Sequence, residues 1–354
     1  MYYDVIIIGG GQAGLCMGYY LQGSNLSFII LEAAVEVGSA WRNRYDSLKL
    51  FTPRYFSSLP GLNLSGNPND YPTKDEIADY LSLYAKTFSL PIQTNCSVKS
   101  LTTYEEGFKV TTTKGELTAG KVVVATGPFQ SPLVPNISRS LSDVALQLHS
   151  STYKNPKQLQ EGSVLVVGGG NSGAQIAVEL SKEREVTLSI GHKLKFLPQD
   201  IGKKSIFWYF NKFGIYSASY KSIRGAFVKN QPDPIFGMEL KKRINTGQIK
   251  LKPRTVSGVN DTITFEDNSS LRVNNIVWST GFKMDYSWIK ISEAFNPKGM
   301  PLHERGISPI NGLYFLGLPW QYSRGSGLVA GVGPDANYLF HKMNNQSIIK
   351  KKTF

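Results

Sequence analysis

The same pattern occurs twice in this chain: an apolar strand runs into a glycine-rich turn that opens a helix. The first copy, "VIIIGGGQAG", occupies residues 5–14, and the second, "VLVVGGGNSG", occupies residues 164–173. Short β-branched runs bounded by turns predict buried parallel strands, and a G-x-G-x-x-G turn between strand and helix is typical of dinucleotide-binding βαβ units. The repeats therefore predict an α/β fold with two Rossmann-like dinucleotide-binding domains.

The three glycines of each turn have separate tasks. The first permits the tight turn, the second lets a pyrophosphate approach the backbone, and the third allows close helix packing. The helix amides behind the turn point at the anion, and the helix dipole favours its negative charge. The glycines are Gly9, Gly11 and Gly14 in the first turn, and Gly168, Gly170 and Gly173 in the second.

The residue at the end of the second strand of each unit indicates which nucleotide fits. Glu32 occupies this position in the first unit, and its carboxylate suits a ribose hydroxyl but repels a 2′-phosphate. The equivalent residue of the second unit is Gly191, followed by His192 and Lys193. These cations favour a 2′-phosphate, although no arginine accompanies them to make the preference strict. We therefore predict NADPH at the second turn, with some use of NADH.

Two unlike dinucleotides in one chain indicate a redox pair. The first site suits an unphosphorylated adenosine, as in FAD or NAD, and the productive partner of a nicotinamide hydride donor is a flavin. We therefore expect FAD at the first turn. Residues 1–155 are interpreted as the first part of an FAD-binding domain, 156–280 as an inserted NAD(P)H-binding domain, and 281–354 as the second part of the FAD-binding domain.

The predicted elements follow the two repeats. The first unit is predicted as a strand over 3–8, a helix over 12–22 and a strand over 27–31, and the second as a strand over 164–167, a helix over 172–182 and a strand over 186–190. Between them, Thr73 and Glu76 have the spacing of a capping box ahead of a helical apolar pattern. A further helix therefore begins near residue 74.

Cysteine usage, apolar runs and charge exclude some functions. Cys16 lies in a predicted helix and Cys96 on a predicted strand, so neither a Cys-x-x-Cys redox pair nor a thiolate metal site is available, and we expect no metal. No stretch approaches the roughly 18 apolar residues of a membrane span, which predicts a cytoplasmic protein. The net charge of +13 fits a solvated lysine-rich surface, or attraction to anionic cofactors or an anionic surface.

Eight segments, in this order, resemble the flavin-containing monooxygenase family in its short prokaryotic, CzcO-like branch of NAD(P)- and FAD-dependent oxidoreductases. They are "VIIIGGGQAG", "LEAAVEVGSAWRNRYDSLKLFTP", "YPTKDEIADYL", "VVVATGPFQSP", "LHSSTYKNP", "VLVVGGGNSGAQIAVEL", "IVWSTGF" and "GLYFLGLPWQY". The family signature F-x-G-x-x-x-H-x-x-x-(Y/F) is present only in its second half. His149 and Tyr153 match it, whereas Asp143 and Ala145 replace the Phe and Gly.

The resemblance implies two sets of cofactor-binding residues. The set for FAD is Gly9, Gly11, Gln12, Ala13, Gly14, Glu32, Trp41, Arg42, Thr126, Gly127, Gly317 and Leu318. The set for the nicotinamide nucleotide is Gly168, Gly170, Asn171, Ser172, Gly173, His192 and Lys193.

The resemblance also implies the chemistry. FAD reduced by NADPH reacts with O₂ to a C4a-hydroperoxyflavin, which oxygenates a small apolar soft nucleophile or ketone. The candidate catalytic residues are Asn171, His149 and Phe51. His149 is either an acid–base group or a structural hydrogen-bonding residue, and Phe51 lies where many relatives carry Asn. An NAD(P)H oxidase and a redox-sensing accessory protein of a membrane transporter therefore remain alternatives.

Residues 196–230, "FLPQDIGKKSIFWYFNKFGIYSASYKSIRGAFVKN", mix aromatic side chains with lysines. This composition predicts a helical insertion that packs on the nucleotide domain or closes as a lid, with a membrane-surface helix as the alternative. In a lid, Trp208, Phe51 and Tyr322 would line an apolar entrance. We expect no nucleic-acid partner and no stable membrane insertion, and a homodimer is left open.

Overall fold

Two sheets, each started by one of the glycine-turn repeats, organise the chain. The computed structural model describes residues 1–351, with side chains for residues 1–344. The first sheet contains β1 (Tyr2–Ile8), β2 (Phe28–Leu31), β3 (Ile92–Gln93), β4 (Val98–Tyr104), β5 (Gly107–Thr112), β6 (Gly115–Val124) and β21 (Leu313–Phe315). Strands β3, β2, β1 and β6 are parallel neighbours, and β21 pairs with the C-terminal end of β6. Strand β5 pairs antiparallel with the N-terminal half of β6, and β4 pairs antiparallel with β5 at the edge of the sheet.

The second sheet is entirely parallel. Its order is β15 (Ile249–Lys252), β10 (Val186–Ser189), β9 (Val164–Val167), β19 (Asn275–Trp278) and β8 (Leu146–His149). The predicted α/β class with two Rossmann-like units is therefore confirmed. Strand β8 precedes residue 156, so the second sheet begins before the expected domain boundary. The position of β21 in the first sheet supports the proposal that residues 281–354 complete the first domain.

Four small sheets accompany the two large ones in the described residues. They pair β7 (Ser131–Pro132) with β20 (Phe282–Lys283), β11 (Phe196–Leu197) with β14 (Ile235–Phe236), β12 (Asp200–Ile201) with β13 (Lys204–Ser205), and β16 (Thr255–Val259) with β17 (Thr262–Phe265) and β18 (Ser270–Arg272). Strand β7 lies in the segment that leads from the first large sheet to the second, and β20 lies in the segment that leads back, so the β7–β20 pair joins these two connecting segments. The two units are therefore tied together at their connections.

Eight α-helices lie in the described part of the chain. They are α1 (Gln12–Gln22), α2 (Ser39–Arg42), α3 (Lys74–Thr87), α4 (Asn171–Leu180), α5 (Ile206–Lys212), α6 (Ile223–Lys229), α7 (Glu239–Asn245) and α8 (Val332–Lys351). The capping box of α3 is confirmed, because Thr73 and Glu76 exchange side-chain-to-backbone hydrogen bonds. In the described residues, every helix is too short or too polar to cross a bilayer.

Some predicted bounds shift by one or two residues. Strand β2 begins at Phe28 because Ser27 is held by the Asp4 carboxylate through its N–H at 2.8 Å and its hydroxyl at 2.7 Å. Cys96 was expected on a strand but precedes β4. Both cysteines are buried free thiols, and burial raises the pKa of Cys16.

Candidate active site

The first glycine turn leaves an open space in front of helix α1. Gly9 has φ +110°, and a Cβ there would lie 2.6 Å from the carbonyl oxygen of Ala125. A Cβ on Gly14 would lie 1.8 Å from the carbonyl oxygen of Gly9, so the helix requires glycine to pack this closely. A Cβ on Gly11, by contrast, would meet no protein atom within 4 Å. This opening, at a helix N-terminus, fits a pyrophosphate.

The second glycine turn repeats this geometry. Gly168 has φ +119°, and a Cβ there would lie 2.2 Å from the carbonyl oxygen of Ser279. A Cβ on Gly173 would lie 2.0 Å from the carbonyl oxygen of Gly168. Gly170 faces open space within 4 Å, as Gly11 does. The chain therefore holds two equivalent glycine turns, each with open space at the N-terminus of its helix.

Glu32 is fixed at the end of β2 by two backbone amides. Its Oε2 accepts a hydrogen bond from the N–H of Gly10 at 2.7 Å, and its Oε1 accepts one from the N–H of Ala34 at 2.8 Å. Each carboxylate oxygen has a further lone pair that can accept a ribose hydroxyl. The negative charge at this position disfavours a nucleotide with a 2′-phosphate.

Most of the predicted FAD set surrounds the first turn. The indole N–H of Trp41 donates to Oε1 of Gln12 at 3.3 Å. A Cβ on Gly317 would lie 2.9 Å from Cβ of Ala13, which brings the segment after β21, with the buried Leu318, against helix α1. Thr126 is next in sequence to Ala125, whose carbonyl oxygen packs against Gly9. The side-chain amide of Gln130 donates hydrogen bonds to the Thr126 hydroxyl at 3.0 Å and to the Gly127 carbonyl oxygen at 2.8 Å.

Arg42 is the exception in the predicted FAD set. Its guanidinium forms ion pairs with Glu36, Asp75 and Asp79, two of them on helix α3, so its charge is already paired within the protein. Arg44, which the sequence analysis missed, is a better candidate for an anionic cofactor.

Arg44 lies against the two connections between the large sheets. Its guanidinium carbon is 5.3 Å from the ring centre of Phe129 and 5.1 Å from that of Phe282, and no carboxylate among the described residues forms an ion pair with it. Burial lowers the pKa of Arg44, as expected for a desolvated cation without an acidic partner.

The positive charge at the end of strand β10, in the second unit, is larger than the sequence predicts. His192 and Lys193 are exposed, and a cavity of about 400 Å³ is lined there by Ile190, Gly191, His192, Leu251, Lys252, Pro253 and Glu266. The guanidinium of Arg254 donates to the carbonyl oxygen of Gly191 at 2.9 Å. The expectation that no arginine accompanies the cations was therefore wrong, because Arg254 reaches Gly191 from the end of the neighbouring strand β15. The parallel pairing of β10 with β15 is the signal that could have revealed it.

Asn171 is occupied by protein contacts. Its amide donates to the carbonyl of Pro234 at 3.0 Å and accepts the N–H of Phe236 at 3.1 Å, so it ties helix α4 to β14. Ser172 does not cap the helix, and the nearby hydroxyl of the buried Tyr45 donates to Oε1 of Gln175 at 3.0 Å. These contacts do not direct the side chain of Asn171 or of Ser172 towards a ligand.

His149 is buried with both ring nitrogens engaged. Nε2 is 3.0 Å from the carbonyl oxygen of Gly281, and Nδ1 accepts the N–H of Ser151 at 3.1 Å. These partners require the tautomer with the proton on Nε2. Burial lowers the pKa of His149. The geometry is that of a structural hydrogen-bonding residue at the joint between the sheets.

Phe51 belongs to an aromatic cluster that is joined to the second turn through Phe236 and Asn171. We define this aromatic cluster as Phe51, Tyr55, Phe56, Phe207, Tyr216 and Phe236. The ring centre of Phe51 is 4.7 Å from that of Phe236, whose N–H is held by Asn171 beside the second turn. On the other side, the Tyr216 ring would lie 2.7 Å from a Cβ on Gly325, in the segment that follows Gly317.

Two phenol hydroxyls in the aromatic cluster have no partner. The hydroxyls of Tyr55 and Tyr216 are buried, and neither forms a hydrogen bond to any of the described residues. Burial raises the pKa of both phenols, so both remain protonated donors. Of the residues expected at an apolar entrance, Trp208 packs on this cluster, whereas the Tyr322 ring lies 3.8 Å from the Arg305 guanidinium carbon.

Comparison with known proteins matches this arrangement to flavin and nicotinamide enzymes. The family model described as pyridine nucleotide-disulphide oxidoreductase matches residues 6–204. An uncharacterized CzcO-like oxidoreductase of Geobacillus kaustophilus is 59% identical over 97% of this chain and 98% of its own. An uncharacterized CzcO oxidoreductase of Bacillus subtilis is 51% identical over 97% and 100%. The flavin-containing monooxygenase of Stenotrophomonas maltophilia has a similar structure, with a TM-score of 0.83 and 27% identity over 98% of this chain and 99% of that one.

Proposed function

This chain belongs to the pyridine nucleotide-disulphide oxidoreductase family, among its CzcO-like oxidoreductases, and from that membership we propose an FAD-dependent, NADPH-consuming monooxygenase. It would form a C4a-hydroperoxyflavin and oxygenate a small apolar soft nucleophile or ketone. The resemblance found in the eight sequence segments is confirmed by the relatives.

The observation that carries the proposal is the opposite charge at two otherwise equivalent glycine turns. The negatively charged carboxylate of Glu32 lies at the first site, and the positively charged side chains of Arg254 and Lys193 lie at the second. FAD therefore fits the first turn and NADPH the second, and bound FAD supplies the electron-accepting and oxygen-activating chemistry. Gly11 and Gly170 would admit the two pyrophosphates, and Arg44 would neutralise charge where the sites meet.

The protein's own side chains would mainly position the cofactors and exclude water. Phe51 and its stacked neighbours Phe207 and Phe236 form an apolar wall beside the second turn, which supports a reaction that must be shielded from water. Asn171 positions that wall on helix α4, and His149 positions the joint. The unpartnered hydroxyls of Tyr55 and Tyr216 could donate to a polar atom of the substrate.

The disulphide chemistry in the family's name does not suit this chain. Its two cysteines are both buried and far apart in sequence, and burial raises the pKa of the Cys16 thiol, which disfavours the reactive thiolate. Oxygen is therefore the better terminal acceptor for electrons from the flavin.

Oxygen consumption with product analysis tests the proposal. Purified protein with FAD is supplied with NADPH, O₂ and methyl phenyl sulfide as probe, and NADPH oxidation, sulfoxide and hydrogen peroxide are measured together. We expect sulfoxide to account for a substantial share of the NADPH used. Peroxide as the sole product would indicate an NAD(P)H oxidase. The apolar Phe51, at a position where many relatives carry Asn, favours this alternative. Failure to consume O₂ would contradict both and leave the redox-sensing alternative.

A further inference from the structure

The insertion between β11 and β14 carries an unbalanced positive charge. Residues 201–231 contain six Lys and Arg and no Asp or Glu. All six are exposed: Lys203, Lys204, Lys212, Lys221, Arg224 and Lys229. Only Lys221 forms an ion pair among the described residues, with Glu304 at 2.6 Å. Five of the six cations therefore form no ion pair with any described residue, and the segment presents a cationic surface.

Large apolar side chains are exposed on the same segment. On helix α6, Ile223 is 92% exposed and Phe227 is 67% exposed, and their i, i+4 spacing puts them on one face. Phe213 is 59% exposed and adjoins this helix, because the guanidinium of Arg224 donates to its carbonyl oxygen at 3.4 Å. A contiguous exposed apolar surface with a charged rim marks an interaction site.

The aromatic rings of the insertion are paired with lysine ammonium groups. The Nζ of Lys212 lies 4.8 Å from the ring centre of Trp208, and the Nζ of Lys229 lies 4.6 Å from that of Tyr220. Trp and Tyr are enriched at the headgroup level of bilayers, where their amphipathic rings are half-solvated. Lysines beside them can bind lipid phosphates while their alkyl stems cover apolar surface.

We propose that this docking patch, formed by Phe213, Ile223, Phe227 and the six cations, binds the surface of an anionic phospholipid bilayer. The apolar side chains would enter the headgroup region, and the cations would bind lipid phosphates. A second copy of the chain is a poor occupant, because two patches with six cations each would repel one another. The contact is peripheral and requires no spanning helix.

Vesicle sedimentation tests this docking. Full-length protein with bound FAD is mixed with phosphatidylcholine vesicles with or without phosphatidylglycerol, at low and high salt. We expect binding only when the anionic lipid is present, and weakening with salt because the cations are solvent-exposed. Equal binding to both vesicle types, or none to either, would overturn the proposal.

Variants assign the binding to the docking patch. The double variant Ile223→Ser/Phe227→Ser should weaken vesicle binding at least tenfold, with FAD content and NADPH oxidation unchanged. Leu83→Ser, at a 54% exposed position on helix α3, is the matched control and should bind normally. Binding that survives the double variant, or that weakens equally in the control, would contradict the patch.

A charge variant gives an independent readout if the apolar variant folds poorly. Lys203→Gln/Lys204→Gln/Lys212→Gln should weaken binding by about fivefold per lysine. Lys298→Gln, an exposed lysine outside the insertion, is the control. Heparin, a soluble polyanion, provides a last comparison. The membrane assignment would also be overturned if heparin bound as tightly as the vesicles and if the Ile223 and Phe227 substitutions had no effect on that binding.

Discussion

The guanidinium of Arg254 donates a hydrogen bond to the carbonyl oxygen of Gly191 at 2.9 Å, across 63 residues of sequence. Gly191 follows strand β10, and Arg254 follows strand β15, its parallel neighbour. The contact places a planar cation where the first unit has the Glu32 carboxylate. This exchange of charge at equivalent positions is what distinguishes the two nucleotide sites.

Arg254→Gln should change the choice of nicotinamide nucleotide. We expect kcat/KM for NADPH to fall roughly 10- to 100-fold, the contribution of a charged hydrogen bond to a 2′-phosphate, with little change for NADH. Steady-state NADPH and NADH oxidation measures both. Arg272→Gln removes an exposed arginine that pairs with Asp261 and should leave the ratio unchanged. An equal loss for both nucleotides would contradict a 2′-phosphate contact.

Gly11→Ala and Gly170→Ala should separate the two cofactors. Each new Cβ meets no protein atom within 4 Å, and both residues have φ near −80°, so we expect both variants to fold. Gly11→Ala should purify with little FAD. Gly170→Ala should retain FAD but lose its reduction by NADPH, seen as bleaching of the flavin band. A Gly11→Ala protein with full FAD content would show that the pyrophosphate binds elsewhere.

Tyr216→Phe should leave stability unchanged or raise it, because it removes a buried hydroxyl that forms no hydrogen bond within the described part of the chain. Tyr84→Phe is the control: the Tyr84 hydroxyl donates to the carbonyl of Pro60 at 2.7 Å, and its loss should cost about 1 kcal/mol. Thermal unfolding gives both values. If the phenol binds substrate, Tyr216→Phe should also raise KM for the oxygenated substrate about tenfold. Equal destabilisation of the two variants would show that the Tyr216 hydroxyl is already satisfied by water.

Stability should decrease in mild acid. Burial lowers the pKa of His149 and of His303 from the ordinary value of 6.5. As the pH falls below about 6.5, the unfolded chain takes up protons that the native protein does not, so the free energy of unfolding decreases down to the folded pKa. Denaturant unfolding across this range measures the slope.

The slope can be assigned to one histidine by substitution. His149→Asn should reduce the pH dependence by up to one proton, and the exposed His192→Asn serves as control. Comparison of the two variants cancels the contributions of the other titrating groups. An unchanged slope in His149→Asn would show that folding does not lower the pKa of this imidazole.

Local spacing in the sequence determined the two glycine turns, the carboxylate of Glu32 and the Thr73–Glu76 cap. Each depends on residues a few positions apart, or on the fixed length of a βαβ unit, so the sequence order itself sets their geometry. The α/β class with two dinucleotide sites followed from these features.

Tertiary structure alone decided which distant side chains reach those turns. It placed Arg254 beside Gly191, paired Arg42 with the acids of helix α3, and used the Asn171 amide to hold Phe236. It also left the Tyr216 hydroxyl buried without a hydrogen-bond partner among the described residues. The physical reason is that strand pairing and side-chain packing, rather than sequence separation, determine such contacts, and one residue pattern is compatible with several of them until the core is assembled.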